Sequence, residues 1–144
     1  MDATETKTKL AAVPDLPTGL LSAIARAGWR REDLVFALYA DLAPDGRYGE
    51  QWFLLTANEL AVFVTDGDGS HYDLRHRLRR SDIKSAKAET AIGNAHLEVT
   101  INDEPRLLLR YSNSVSERFA RMARYLDGIA KGRELPLPLG DDES

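Results

Sequence analysis

The sequence predicts a mainly β domain with an α+β composition. Seven antiparallel strands form a partly open barrel of two near-orthogonal sheets, a C-terminal helix lids it, and a short helix precedes it. Three observations predict this. From Leu34 to Tyr111, short runs alternate apolar and polar residues with a period of two, separated by turns rich in Gly, Asn, Asp and Pro. From Val115 the period changes: Val115, Phe119, Met122, Leu126 and Ile129 are spaced by four and three, one stripe of an amphipathic helix. Consecutive short strands joined by turns fold as a meander, and a single leftover helix stripe is buried most economically in the open end of that meander.

Residues 1–15 read as a flexible polar tail. Pro14 and Pro17 lead into a helix over 18–28, with Thr18 as N-cap, a stripe of Leu20, Leu21, Ile24 and Ala25, and Gly28 as the stop. Trp29 reads as a plug against the domain. LVFALYADL, 34–42, is the first strand, and APDGRYG, 43–49, is a turn. EQWFLLTANELAVFVTD, 50–66, is the organising hairpin, turning at Ala57, Asn58 and Glu59 with Asn58 as a left-handed pivot. Both of its strands are apolar on both faces, which places them inside a sheet.

Asp66 to Ser70 is an exposed turn. His71 to Leu78 follows as a half-buried strand, with Tyr72, Leu74, His76 and Leu78 on one face and Asp73, Arg75, Arg77 and Arg79 on the other. Residues 83–90 form a weaker strand whose lysines suit a sheet edge. Gly93 and Asn94 turn the chain. Ala95, Leu97, Val99 and Ile101 give the clearest alternation, and Asn102 to Pro105 make the next turn. In the last strand Leu107, Leu109 and Tyr111 oppose Arg106, Leu108 and Arg110. The closing helix spans 114–131, with Ser114 and Glu117 at capping-box spacing and Gly132 as its stop. Residues 134–144 read as an acidic, Pro-containing linker.

A chain of 144 residues, 43% hydrophobic and 29% charged, has the size and make-up of one core-bearing domain. It has no cysteine, which excludes a disulfide framework, a thiolate metal site and a cysteine nucleophile. A net charge of −4 argues against nucleic acid as a partner. No apolar run approaches the roughly 18 residues of a membrane span, and MDATETKTKL lacks the profile of a secretory signal. A cytoplasmic location is the expectation.

Chemistry is sparse. His71 and His76 are five apart, on opposite faces of a strand, and each of these and His96 reads as a surface or half-buried strand residue. Asp66, Gly67, Asp68 and Gly69 resemble part of a calcium loop, but Arg77 stands where such a loop needs its twelfth-position glutamate. There is no nucleophile elbow, Walker A motif or dinucleotide fingerprint. The expectation is no catalytic residue, no metal and no cofactor. The basic run Arg75, Arg77, Arg79, Arg80, Lys84 and Lys87 is the one charge asymmetry. It reads first as a solvated face, and second as a docking surface for an acidic protein or an anionic membrane, with Arg75, Arg77, Arg79 and Arg80 as candidates.

The stretch LYADLAPDGRYGEQWFLLTANELAVF, with the strand count and the closing helix, resembles a pleckstrin-homology-like (PH-like) domain of the bacterial kind, over roughly Arg31 to Gly132. More specifically it is similar to the region ahead of the membrane part of certain bacterial ABC exporters. The matching residues are Ala40, Asp41, Leu42, Asp45, Gly46, Arg47, Tyr48, Gly49, Glu50, Gln51, Trp52, Leu55, Thr56, Leu60, Val62 and Phe63. The resemblance implies a non-catalytic accessory domain at the inner face of the membrane, with the remainder of a transporter as its protein partner. No ATPase residue is carried over, because no Walker motif is present. Eukaryotic relatives of the fold hold phosphoinositides in the first loop, but here Asp41 to Glu50 carries three acids and one Arg, the wrong balance for a polyphosphate. The motif residues Asp45, Gly46, Arg47, Tyr48, Gly49, Glu50 and Trp52 are expected either to be structural, with Trp52 plugging the barrel, or to contact the transporter. Two alternatives stand beside the transporter reading: a free-standing membrane-peripheral or protein-binding module, and a small-ligand binder or enzyme with a pocket at the barrel mouth.

Overall fold

The computed structural model describes residues 13–43, 47–65, 69–92 and 94–138. Among the described residues the chain is mainly β: a four-stranded and a three-stranded antiparallel sheet, one α-helix before them and one after. Helix α1 is Thr18–Arg26, and the first sheet is β1 (Leu34–Leu42), β2 (Tyr48–Thr56), β3 (Glu59–Thr65) and β4 (Tyr72–Arg79), paired in that order. The second sheet is β5 (Ser85–Ala91), β6 (Asn94–Ile101) and β7 (Glu104–Tyr111), and helix α2 is Ser116–Ala130. The sheets are hydrogen-bonded separately, so the coarse expectation of seven antiparallel strands and a closing helix holds without a closed barrel.

The inner faces meet around α2. Phe53 of β2 packs edge-on to Phe119 of α2 at 6.3 Å, and Tyr111 of β7 stacks on the same ring at 4.3 Å. Leu55, Leu60 and Val62 from the first sheet, Leu97 and Leu108 from the second, and Met122 from the helix are all 0% exposed. Asp41, near the end of β1, joins the sheets by accepting from the Ser112 backbone N–H at 2.9 Å and from the Ser112 and Ser114 hydroxyls. Burial acts to raise the pKa of Asp41, but these hydrogen bonds outweigh it and hold the carboxyl below its usual range.

The first sheet is also covered on its outer face, which is why β2 and β3 are apolar on both sides. There Trp52 sits between Tyr39 and Phe63, and Leu54 between Ala37 and Ala61. Helix α1 lies against β4 on this face: the Arg26 guanidinium donates to the Tyr72 carbonyl at 3.2 Å, and a Cβ on Gly19 would strike the Ser70 carbonyl. Trp52 therefore does not plug the interior, as expected of it; the alternation of β2 gives that place to Phe53.

Several local expectations are corrected. Pro17, not Thr18, is the N-cap of α1, and its buried residues are Leu20, Ala23 and Ile24, with Leu21 37% exposed. Asn58 is not left-handed; among the described residues the non-glycine positions with positive φ are Asn102 and Asp103, at the two-residue β6–β7 turn. Glu104 and Pro105 belong to β7. Neither Ser114 nor a capping box starts α2, because Ser112 and Ser114 are turned toward Asp41 and Val115 takes the N-cap position. Val13 is 6% exposed and joins the core, so the described domain begins inside the stretch read as tail. At the other end Leu137 packs against the core. Gly28 and Gly132 do end the helices, at φ +91° and +87°. Each lets the next N–H reach back into the last turn, Trp29 to the Ile24 carbonyl at 3.1 Å and Arg133 to that of Gly128 at 2.9 Å.

Two bulges break the strict alternation. The pairing of β3 with β4 slips between Val62 and Phe63, leaving Arg75 as the extra residue, so Arg75 is out of step with Arg77 and Arg79. The pairing of β6 with β7 slips between Leu97 and Glu98, leaving Leu108 extra, and both Leu108 and Leu109 are buried.

Candidate functional site

The basic stretch around β4 leads to a cleft of about 920 Å³ on the surface of the first sheet. Its floor is the β2–β3 turn. One wall is the segment after α1, with Trp29 and Asp33; the other is Arg79 to Lys84, between β4 and β5; Ile129 and Ala130 of α2 close one end.

Side chains fix the turn. The Thr56 hydroxyl accepts from the Asn58 and Glu59 backbone N–H groups at 3.3 and 3.0 Å. The Arg80 guanidinium donates to the carbonyls of Thr56 and Ala57 at 2.7 and 3.3 Å, and the Arg80 backbone N–H donates to the Asn58 carbonyl at 2.8 Å. Its other Nη donates to the Tyr125 hydroxyl of α2 at 2.7 Å, and its charge lies 5.6 Å from the centre of that ring. Arg80 thus replaces the left-handed asparagine as the device that holds the hairpin.

The Trp29 wall is fixed by Glu59, which accepts from the Trp29 indole at 2.9 Å and from Arg77 through both oxygens at 3.0 and 3.1 Å. Arg77 also donates to the Ala27 carbonyl at 2.8 Å, at the end of α1, and stacks 5.2 Å above the Trp29 ring. The Arg77 hydrogen bonds are the main reason the Glu59 carboxyl is held below its usual range; burial opposes them and the Trp29 bond adds to them.

The candidate arginines therefore divide. Arg77 and Arg80 are engaged inside the molecule, Arg75 is exposed at the bulge, and Arg79 and Arg80 line the cleft with Lys84. Asp33, the other acid of the lining, accepts from the Arg30 backbone N–H at 2.8 Å. No His lines the cleft, so its hydroxyls, on Thr56 and Ser81, have no imidazole base beside them. The lining thus sets Arg79, Arg80 and Lys84 against Trp29, Asp33 and Glu59.

The described motif residues run from just before β2 to its middle, so that along the strand Tyr48 is about 27 Å and Trp52 about 14 Å from Thr56 at about 3.4 Å per residue. Gly49, Glu50 and Trp52 make contacts within the domain. Glu50 accepts from the Trp52 indole at 2.7 Å and from the Tyr72 hydroxyl. Burial and that carboxylate push the Tyr72 phenol well above its ordinary pKa. A Cβ on Gly49 would come within 2.8 Å of the Ala43 side chain, so the close return of the chain after β1 requires a glycine there. Asp45 and Gly46, and the calcium-like turn at 66–68, lie outside the described residues. Among the described residues no helix is long and apolar enough to cross a membrane.

His71 stands just before β4, paired with Asp73 at 3.1 Å, and His76 is half-buried within β4. Sequence reading did not find the cleft, because its walls come from segments separated by more than 40 residues. It also missed a grouping of His96 with Glu89 and Glu98 on the outer face of the second sheet. No protein-family model matches this chain, and no curated protein matches it either.

Proposed function

We propose that this chain is a non-catalytic interaction module of PH-like architecture, serving as a cytosolic accessory domain of a bacterial ABC-type exporter and binding its protein partner at the cleft beside Trp29. The filled interior carries the reading. Phe53, Tyr111 and Phe119 occupy the space between the sheets, which leaves the outer surface for function. Four strands, three strands and a closing helix are the arrangement such a module requires, and the resemblance around Ala40 to Phe63 supplies the transporter.

The test begins with the gene. Translation continuing past Ser144 into apolar spans and a Walker A motif supports the exporter reading; a stop codon directly after Ser144 removes it. In the full-length protein, a photo-crosslinker at Lys84 is expected to capture the transporter body, and one at Arg106, on the second sheet, is not. Equal capture from both positions counts against the cleft.

Exposed Arg75 and Arg79 favour a second reading, a membrane-peripheral module. Salt-sensitive sedimentation with phosphatidylserine vesicles, abolished by Arg75→Glu with Arg79→Glu, would establish it, and failure to sediment would remove it.

A further inference from the structure

We infer that the outer face of the second sheet carries a binding site for a borderline transition-metal ion such as Zn²⁺ or Co²⁺, formed by Glu89, His96 and Glu98. The register builds it. Glu89 of β5 stands opposite His96 of β6, and Lys87 stands opposite Glu98. Because Ala95, Leu97 and Val99 point into the core, His96 and Glu98 share the outer face.

The distances suit an ion. The His96 Nε2 lies 3.4 Å from a Glu89 carboxylate oxygen and 3.6 Å from one of Glu98. Bonds of about 2.1 Å to nitrogen and oxygen place the ligand atoms of a tetrahedral site roughly 3.4 Å apart, so two edges of the tetrahedron are already close to length. All three ligand atoms lie within 4.8 Å of one another, and the third edge closes by carboxylate rotation. One imidazole with two carboxylates favours zinc, cobalt or nickel over magnesium or calcium. Three protein ligands leave the outward position to water.

Lys87 bears directly on this. Its ammonium lies 3.2 Å from Glu89 and 3.9 Å from Glu98, on the carboxylate oxygens that His96 does not face. It neutralises the two carboxylates without the metal and competes with it. Arg110, opposite His96 on β7, adds a second positive charge to this face. The site is accordingly weak in the wild-type chain and tightens when Lys87 loses its charge.

Cobalt titration tests this, read by the visible absorption of tetrahedral Co²⁺ and by calorimetry, with Mg²⁺ as the comparison ion. The expected result is one Co²⁺ per chain, displaced by Zn²⁺, tighter in Lys87→Met, lost in His96→Ala and weakened at least about tenfold in Glu98→Gln. His71→Ala is expected to bind like wild type. Lys87 and His71 are exposed and His96 and Glu98 half-buried, and thermal melts check that each variant folds. Co²⁺ binding that survives His96→Ala overturns the site, as does failure of both wild type and Lys87→Met to bind.

Discussion

On the outer face of the first sheet, Ala37, Trp52, Leu54, Ala61 and Phe63 are at most 7% exposed, while the outer face of the second exposes Lys87 and Glu89 and leaves His96 and Glu98 half-buried. The difference follows from what lies outside each sheet. Helix α1 and Trp29 cover the first, so its strands need apolar residues on both sides; nothing among the described residues covers the second, so its strands alternate. A strand that is apolar throughout therefore reports a third layer as well as a central place in the sheet.

The sharpest break in this comparison comes at the interior both sheets share. Phe119→Ala removes the ring that touches Phe53 and Tyr111 and is expected to cost about 4 kcal/mol, measured by urea denaturation, with both sheets lost in one transition. A variant that lost only the second sheet would show that the sheets are independent. Trp29→Ala strips the outer cover from one sheet only. It is expected to cost about 3 kcal/mol and to raise amide exchange in β3 and β4 more than in β6. Equal effects on β3 and β6 would contradict the asymmetry.

Acid sharpens the comparison at one residue. Burial, reinforced by Arg75 and Arg106, holds the His76 imidazole below its usual pKa, and its Nε2 has no partner. As pH falls below about 6.5 the unfolded chain takes up the proton first. Stability is thus full above that pH and declines as pH drops toward the folded value. The urea midpoint is expected to fall between pH 7.5 and 5.5, and His76→Gln to flatten that limb. The smallest effect is expected on the open face: Glu98→Gln should change stability by less than about 0.5 kcal/mol. A loss above about 2 kcal/mol there would mean that this face is structural.

Strand identity was legible because a period of two survives in a single sequence. β1 runs from Leu34 to Leu42 as expected, and β6 buries Ala95, Leu97 and Val99. The bulges at Arg75 and Leu108 were not legible, since no glycine or proline marks them and only the partner strand's register requires them. Cap assignments failed for a related reason. Ser114 has the right chemistry for capping, but Asp41, more than 70 residues away, claims its hydroxyl. The grouping of Glu89, His96 and Glu98 could have been found by counting. Pairing Ala91 with Asn94 puts residue 89 opposite 96, and 98 lies two further along the same face. The cleft had no such signal, because its lining is assembled only once α1, the β2–β3 turn and α2 are in place.

The position of Phe119 after all seven strands bears on synthesis. Helix α1 and the strand faces it covers leave the ribosome early and can settle locally. The side of the same sheet that carries Phe53 has to wait for helix α2 to emerge. Nascent chains stalled with residue 112 or residue 138 outside the exit tunnel, compared by protease resistance, would show whether that delay is a period of exposure that a chaperone must shield.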